Sequence, residues 1–250
     1  MSEIVTGKRG IRYRLIGTND LISRIIRHHG EYEPELQLVS AHILNGKQGE
    51  IIDAGANMGS YCIPLAKQFP AVEIIAFEPQ KTIFRQLVGN IELNDATNVR
   101  PIHLGLSDKE EDIVTTVPSY ETETNIGAFS LDDLVRNNQY EVQTVGDRET
   151  VQLVPLDTFE FENVLLIKVD VEGMELKVLR GATNTLRANN YPPILFEAWA
   201  WASWFDERRR ELYRYLEDTG YRIIQAGNNN IAQHASRDDY RHFKFAGAAS

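Results

Sequence analysis

The chain has 250 residues, 42% hydrophobic and 25% charged, with 36 Asp and Glu against 26 Lys and Arg for a formal net charge of -10. That length accommodates one large α/β domain with a short extension and a substantial core. The acidic balance argues against a nucleic-acid partner, because Lys and Arg are scattered; the triplet Arg208-Arg209-Arg210 lies among acids and reads as a solvated helix face with ion pairs. The single cysteine, Cys62, excludes an internal disulfide and reads as a small core residue. With no apolar leader and no run of the ~18 residues that cross a bilayer, no membrane span is expected, and a cytoplasmic location is.

Residues 1 to 48 are expected to form an extension capping the core. Leu21, Ile22, Ile25 and Ile26, then Leu36, Val39, Ile43 and Leu44, mark two amphipathic helices joined through Gly30-Glu31-Tyr32-Glu33-Pro34. A helix just before a first strand often borders the pocket in such folds, so Tyr32 and Glu33 are candidates to touch a ligand. The alternative is a plain turn and helix cap.

The domain proper, 49–250, opens with Glu50-Ile51-Ile52-Asp53-Ala54-Gly55-Ala56-Asn57-Met58-Gly59. A short apolar run, an acid, two glycines and then helical spacing read as a buried strand turning tightly into a helix. Gly55 allows positive φ and brings backbone N–H groups near a ligand, and Gly59 allows close packing. A dinucleotide site would want Gly-x-Gly-x-x-Gly. Here the middle glycine is absent, and Asp53 would oppose a pyrophosphate. A cofactor with a cationic end suits the turn better: S-adenosylmethionine carries a sulfonium and an ammonium, which Asp53 would hold directly or through water. Glu78 closes the next apolar run, one strand–helix–strand unit later, where a carboxylate accepts both ribose hydroxyls.

Strand 51–54, helix 59–69, strand 73–78, helix 80–93 and strand 99–106 follow in alternation, which predicts a parallel sheet with helices on both faces and ligands at the strand carboxyl ends. Pro64 would be the fourth residue of a helix capped by Ser60 and would cost it a hydrogen bond. Ser107 and Asp108, ending the third strand, are placed beside an adenine; a plain turn is the alternative. The polar stretch 109–150 breaks the rhythm and reads as a lid or substrate loop with Asn125 and Gly127 as the residues to watch, or else as a hairpin or a disordered segment.

A buried strand through Leu165-Leu166-Ile167-Lys168-Val169 then delivers Asp170 at its end, with Glu172 and Glu175 near the start of a helix carrying Val178, Leu179 and Leu186. For the two glutamates, favourable charge at a helix N-terminus is the alternative to a functional part. It does not account for Asp170, which faces the ligand edge. The fifth strand, Pro193–Phe196, ends in Glu197, and Trp199, Trp201 and Trp204 follow, to line a substrate pocket or to pack the next helix. Helix 206–219 and an antiparallel pair, Tyr221–Gln225 with Arg241–Phe245, turning at Asn228-Asn229-Asn230, complete the sheet.

With Asp53-Ala54-Gly55-Ala56-Asn57-Met58-Gly59, Phe77-Glu78-Pro79, Asn90-Ile91-Glu92-Leu93-Asn94 and Ile167-Lys168-Val169-Asp170-Val171-Glu172-Gly173-Met174-Glu175 in one order, the chain resembles the FkbM family of S-adenosylmethionine-dependent methyltransferases. The resemblance implies a class I, Rossmann-like α/β fold with a seven-stranded, mostly parallel sheet and a final antiparallel hairpin. It implies methyl transfer, commonly to a hydroxyl of a sugar, glycan or secondary metabolite. Carried over, Asp53, Gly55, Asn57 and Gly59 surround the methionine part, Glu78 the ribose, and Ser107 or Asp108 the adenine.

An alcohol acceptor must lose its proton, and Asp170, Glu172 and Glu197 are the candidates to take it. In a variant, Asp170 and Glu197 jointly hold Mg²⁺ or a similar hard cation. N-methylation of a small molecule or peptide, a nucleotide-dependent oxidoreductase and a silent cofactor-binding module stay open as alternatives. The acceptor and the oligomeric state are left undetermined.

Overall fold

The structure, a computed structural model, describes residues 3–15, 17, 20–118, 127, 129–138, 144–199, 201–226 and 229–237. In chain order its elements are β1 (Ile4–Thr6), β2 (Arg12–Arg14), α1 (Leu21–His29), α2 (Pro34–Leu44), β3 (Gly49–Ala54), α3 (Cys62–Gln68), β4 (Val72–Phe77), α4 (Lys81–Leu93), β5 (Val99–Ile102) and β6 (Gly105–Leu106). Then come β7 (Glu111–Pro118), α5 (Asp133–Asn138), β8 (Thr144–Val154), β9 (Val164–Val169), α6 (Glu175–Arg180), α7 (Thr183–Ala188), β10 (Ile194–Glu197), α8 (Asp206–Asp218), β11 (Tyr221–Ala226) and β12 (Asn229–His234).

The main sheet has seven strands in the order β11-β12-β10-β9-β3-β4-β5, the class I methyltransferase arrangement expected above. All neighbours are parallel except those of β12, which runs antiparallel to both β10 and β11. Side-chain alternation divides the core into two layers. Ile51, Ile74 and Leu166 pack with α1, α2 and α3, while Ile52, Ile75 and Ile167 pack with α6, α7 and α8. Both sheet faces are thus covered, which is why its strands read as continuous apolar runs. Among the described residues no helix is long and apolar enough to cross a membrane.

Several expectations change. The two N-terminal helices form, but a hairpin of β1 and β2 precedes them. It is held on α4 by Asn90 and Asn94, one turn apart, which accept from the amides of Arg14 (2.7 Å) and Arg12 (2.8 Å); Asn90 also donates to the Met58 carbonyl at 2.9 Å. Helix α3 starts at Cys62, so Pro64 is its third residue, where no N–H is required by the helical ladder. The expected strand 99–106 breaks after Ile102, and Gly105–Leu106 leaves the main sheet to pair with β8. The 109–150 insertion follows its hairpin reading: β7 and β8 pair antiparallel, with α5 between them. One helix expected after Asp170 is two, α6 and α7, on either side of Gly181-Ala182. Among the described residues Tyr221–Ala226 pairs with Asn229–His234, and the expected strand Arg241–Phe245 lies outside them.

Candidate active site

The chain leaves β3 for β4 and β5 on one side and returns through β9 and β10 on the other, and ligands bind at such a switch point. There, at the carboxyl ends of the strands, lies a cavity of about 480 Å³.

One end is built by the turns after β3 and β4. Gly55 has φ +82, and a Cβ there would stand 1.9 Å from the Asp170 carbonyl oxygen. Only glycine lets these strand ends approach. The amides of Gly55 and Ala56 donate to the Phe77 carbonyl (3.0 and 2.9 Å), and that of Asn57 donates to Glu78 Oε2 at 3.0 Å. These turn amides are therefore spent within the fold rather than presented to a ligand, a correction to the expectation. Glu78 Oε1 accepts from the Gln80 amide at 2.9 Å. Each Glu78 oxygen keeps a free lone pair. Burial outweighs the two amide bonds and raises its pKa to about 7. Beside it, the buried Gln80 Oε1 has no hydrogen-bond partner among the described residues. A carboxylate with spare lone pairs next to an unmet amide oxygen suits a ligand rich in hydroxyl and amine donors, as an adenosyl group is.

Other residues expected at this end stand elsewhere. Gly59 is a packing position: its Cβ would meet the Ile63 and Leu87 side chains at 2.5 and 3.0 Å. Ser107 is buried, its amide bonded to the Val154 carbonyl and its own carbonyl pressed on Gly181. The wall beside it is formed by Leu104, Gly105 and Leu106, so neither Ser107 nor Asp108 lines the cavity.

Asp53 is the larger correction. It is fully buried and does not line the cavity, because Lys168 covers it: Lys168 Nζ lies 3.4 Å from Asp53 Oδ1 and 3.1 Å from Asp170 Oδ2, 5.4 Å from the centre of the Tyr61 ring. Burial alone favours a neutral amine, but the charges of Asp170, Asp53 and Glu33 outweigh it and hold the ammonium well above the ordinary lysine value. Asp53 is thus paired with Lys168 inside the fold.

The other end is acidic. Carboxylate oxygens of Asp170, Glu172 and Glu197 lie within 4.8 Å of one another. Burial and the charge of Asp170 raise Glu197 to about 8 and Glu172 well above the usual carboxylate range. Tyr32 and Glu33 line this cavity from the N-terminal segment, and burial raises Glu33 to about 7. Glu175 turns away, its Oε1 accepting from the amides of Gly173 (3.0 Å) and Val171 (3.4 Å). Trp199 serves both expected purposes, lining the cavity while its ring packs 5.0 Å from that of Phe205. Trp201 also lines it but is 69% exposed. From the insertion come Gly127, Phe129 and Asn138; Asn125 lies outside the described residues. Asp132 ties this segment down, capping α5 through the amides of Leu134 and Val135 and pairing with Arg208 (2.9 Å) on α8. Sequence reasoning missed Gln80 and Phe129 as individual lining residues, while Trp201, one of the three tryptophans it named, does line the cavity; the position of Gln80, two after Glu78, was the one available signal.

The model of the FkbM methyltransferase domain matches residues 53–223. The chain belongs to this family. It is a methyltransferase, with S-adenosylmethionine as its methyl donor. Methyltransferase sdnD of Sordaria araneosa is 31% identical over 204 residues, 70% of this chain and 74% of that protein. The hexuronic acid methyltransferase AglP of Haloferax volcanii is 31% identical over 144 residues, 56% of this chain and 52% of AglP, so the match spans about half of that relative. A solved FkbM methyltransferase from Methylobacillus flagellatus superposes with a TM-score of 0.48 at 15% identity, over 74% of this chain and 43% of the other.

Proposed function

We propose that this methyltransferase acts on a hydroxyl of a sugar, glycan or secondary-metabolite acceptor. The observation that carries the reading is the division of one cavity into an end of hydrogen-bond acceptors, Glu78 and Gln80, and an end of clustered carboxylates, Asp170, Glu172 and Glu197. Glu78 takes the ribose hydroxyls, Gly55 and Asn57 shape the turn against the methionine part, and the Leu104–Leu106 wall with Gln80 receives the adenine. When bound, S-adenosylmethionine supplies a methyl group on a positively charged sulfur. The carboxylates beyond it receive the hydrogen bond of the acceptor hydroxyl and orient it, a carboxylate at this end of the cavity takes its proton, and Tyr32, Gly127 and Trp199 bound the acceptor. That AglP is named for a hexuronic acid supports a carbohydrate acceptor here.

A second reading concerns a hard cation. Three carboxylates within 4.8 Å of one another offer oxygens to Mg²⁺, with water and the acceptor to complete the coordination, and a bound cation lowers a hydroxyl's pKa. Release of S-adenosylhomocysteine with a panel of hexoses, hexuronic acids, phenols and amines tests both readings. Turnover of hydroxyl acceptors is expected, and turnover of amines alone would replace O- by N-methylation. Loss of activity on chelation, restored by Mg²⁺, supports the cation; full activity after exhaustive chelation excludes it.

A further inference from the structure

The turn ahead of α2 is unfavourable on three counts. Glu33 has φ 46 and ψ 58, the left-handed region that a side chain with a Cβ rarely adopts. It precedes Pro34, whose ring biases the residue before it toward extended backbone. It also holds the N-cap position without any side-chain bond to the helix amides, a bond that Asp, Asn or Ser would supply there. Set against these costs is placement. The Glu33 side chain makes no bond to the helix amides and the residue lines the cavity, close to the side chain of Asn229, which stands opposite Glu197 where β12 pairs with β10. Two other non-glycine residues with positive φ, Asn57 (φ 50) and Glu172 (φ 53), line the same cavity. Backbone strain of this kind gathers at functional sites.

Resting on the hydroxyl-acceptor reading above, we propose that Glu33 is a catalytic residue, whose carboxylate contacts the acceptor hydroxyl and takes its proton during methyl transfer. The acceptor oxygen bonds to the methyl carbon, the carbon–sulfur bond breaks with its electron pair kept by sulfur, and the hydroxyl proton ends on Glu33. The other carboxylates are less suited. Asp170 is paired with the Lys168 ammonium at 3.1 Å, which weakens it as a base, and Glu172 and Glu197 crowd with it in a group shaped to orient a ligand or hold a cation. Glu33 comes from outside the sheet, and burial together with the charge of Asp170 brings it to about 7, the range in which a base works near neutrality.

Glu33→Gln and Glu33→Gly in the full chain test this, read by thermal midpoint, by calorimetric S-adenosylmethionine affinity, and by turnover of whichever hydroxyl acceptors the wild type methylates. Because glycine relieves the left-handed strain, Glu33→Gly is expected to raise the midpoint by about 2 °C. Both variants should keep cofactor affinity within about threefold and lose turnover by about a hundredfold. A lowered midpoint in Glu33→Gly would make Glu33 a structural turn residue and overturn the proposal. So would turnover within about twofold of wild type in either variant. A wild type that methylates no hydroxyl on the panel overturns the acceptor reading and this proposal with it, whereas an active wild type with equally active variants overturns the Glu33 role alone.

Discussion

The two ends of the cavity are assembled in opposite ways. The end proposed for the cofactor comes mostly from Gly55 to Gln80, the turns that flank α3 and β4, closed by the Leu104–Leu106 wall, and its acid, Glu78, is held by the amides of Asn57 and Gln80. The end proposed for the acceptor draws on four segments far apart in the chain, represented by Glu33, Phe129, Asp170 and Trp199, and its acids crowd together with Lys168 as the one cation among the lining residues described. In the proposed reading, a ligand common to a whole family is met largely by a short local unit, which a contiguous motif specifies. The acceptor is met by groups whose mutual repulsion is tolerated only because separate elements are packed around them.

The most severe way to break this contrast is Gly55→Ala, since the new Cβ would fall 1.9 Å from the Asp170 carbonyl, where β3 and β9 join the two ends. Loss of stability of roughly 3 kcal/mol or more, with no measurable cofactor binding, is expected from thermal melting and calorimetry. Asp170→Asn should instead separate the ends. Turnover is expected to fall about a hundredfold while S-adenosylmethionine affinity stays within a few-fold; equal losses in both would erase the distinction.

A smaller effect is read by pH. Glu33, Glu78 and Glu175 are raised to about 7 and Glu197 to about 8, all above the ordinary 4.5, with burial the leading cause. Over this window the folded protein holds protons that the unfolded chain releases, so the stability these groups lend is full below pH 4.5 and lost as pH rises through 7 to 8. The thermal midpoint is therefore expected to be lower at pH 9 than at pH 6, and a higher one would contradict the burial of this cluster. Trp201→Ala, at the exposed mouth, should have the least effect: a few-fold rise in acceptor KM with the midpoint unchanged.

The same contrast governs what the sequence discloses. Ile51-Ile52 followed by Gly55, and the apolar run closed by Glu78, are local patterns, and the structure forms the strands and turns they announce. The part played by Asp53 was not legible, because the residue that covers it, Lys168, arrives on β9 much later in the chain. Asn229 and Asn230 carry turn chemistry, yet they lie in β12: the Asn230 side chain accepts from Tyr213 Oη at 3.2 Å and donates to the Phe196 carbonyl at 3.5 Å. Tertiary contacts supply what a turn would otherwise have provided. The insertion looked irregular because β7 and β8, which pair with each other, are separated by α5 and its flanking residues. Asp170 and Glu197, each closing an apolar strand, were legible one by one; their meeting with Glu33 was not.

The central claim, that the Glu78 end of this cavity is the adenosyl site, is tested most directly by calorimetric titration of the wild type and Glu78→Gln with S-adenosylmethionine, S-adenosylhomocysteine and NAD. Saturable binding of both adenosyl ligands and not of NAD, weakened about 10–100-fold in the variant, is the expected result, since hydrogen bonds to a charged carboxylate contribute about 1.5–3 kcal/mol. Binding of NAD, or adenosyl binding that Glu78→Gln leaves undiminished, would contradict it.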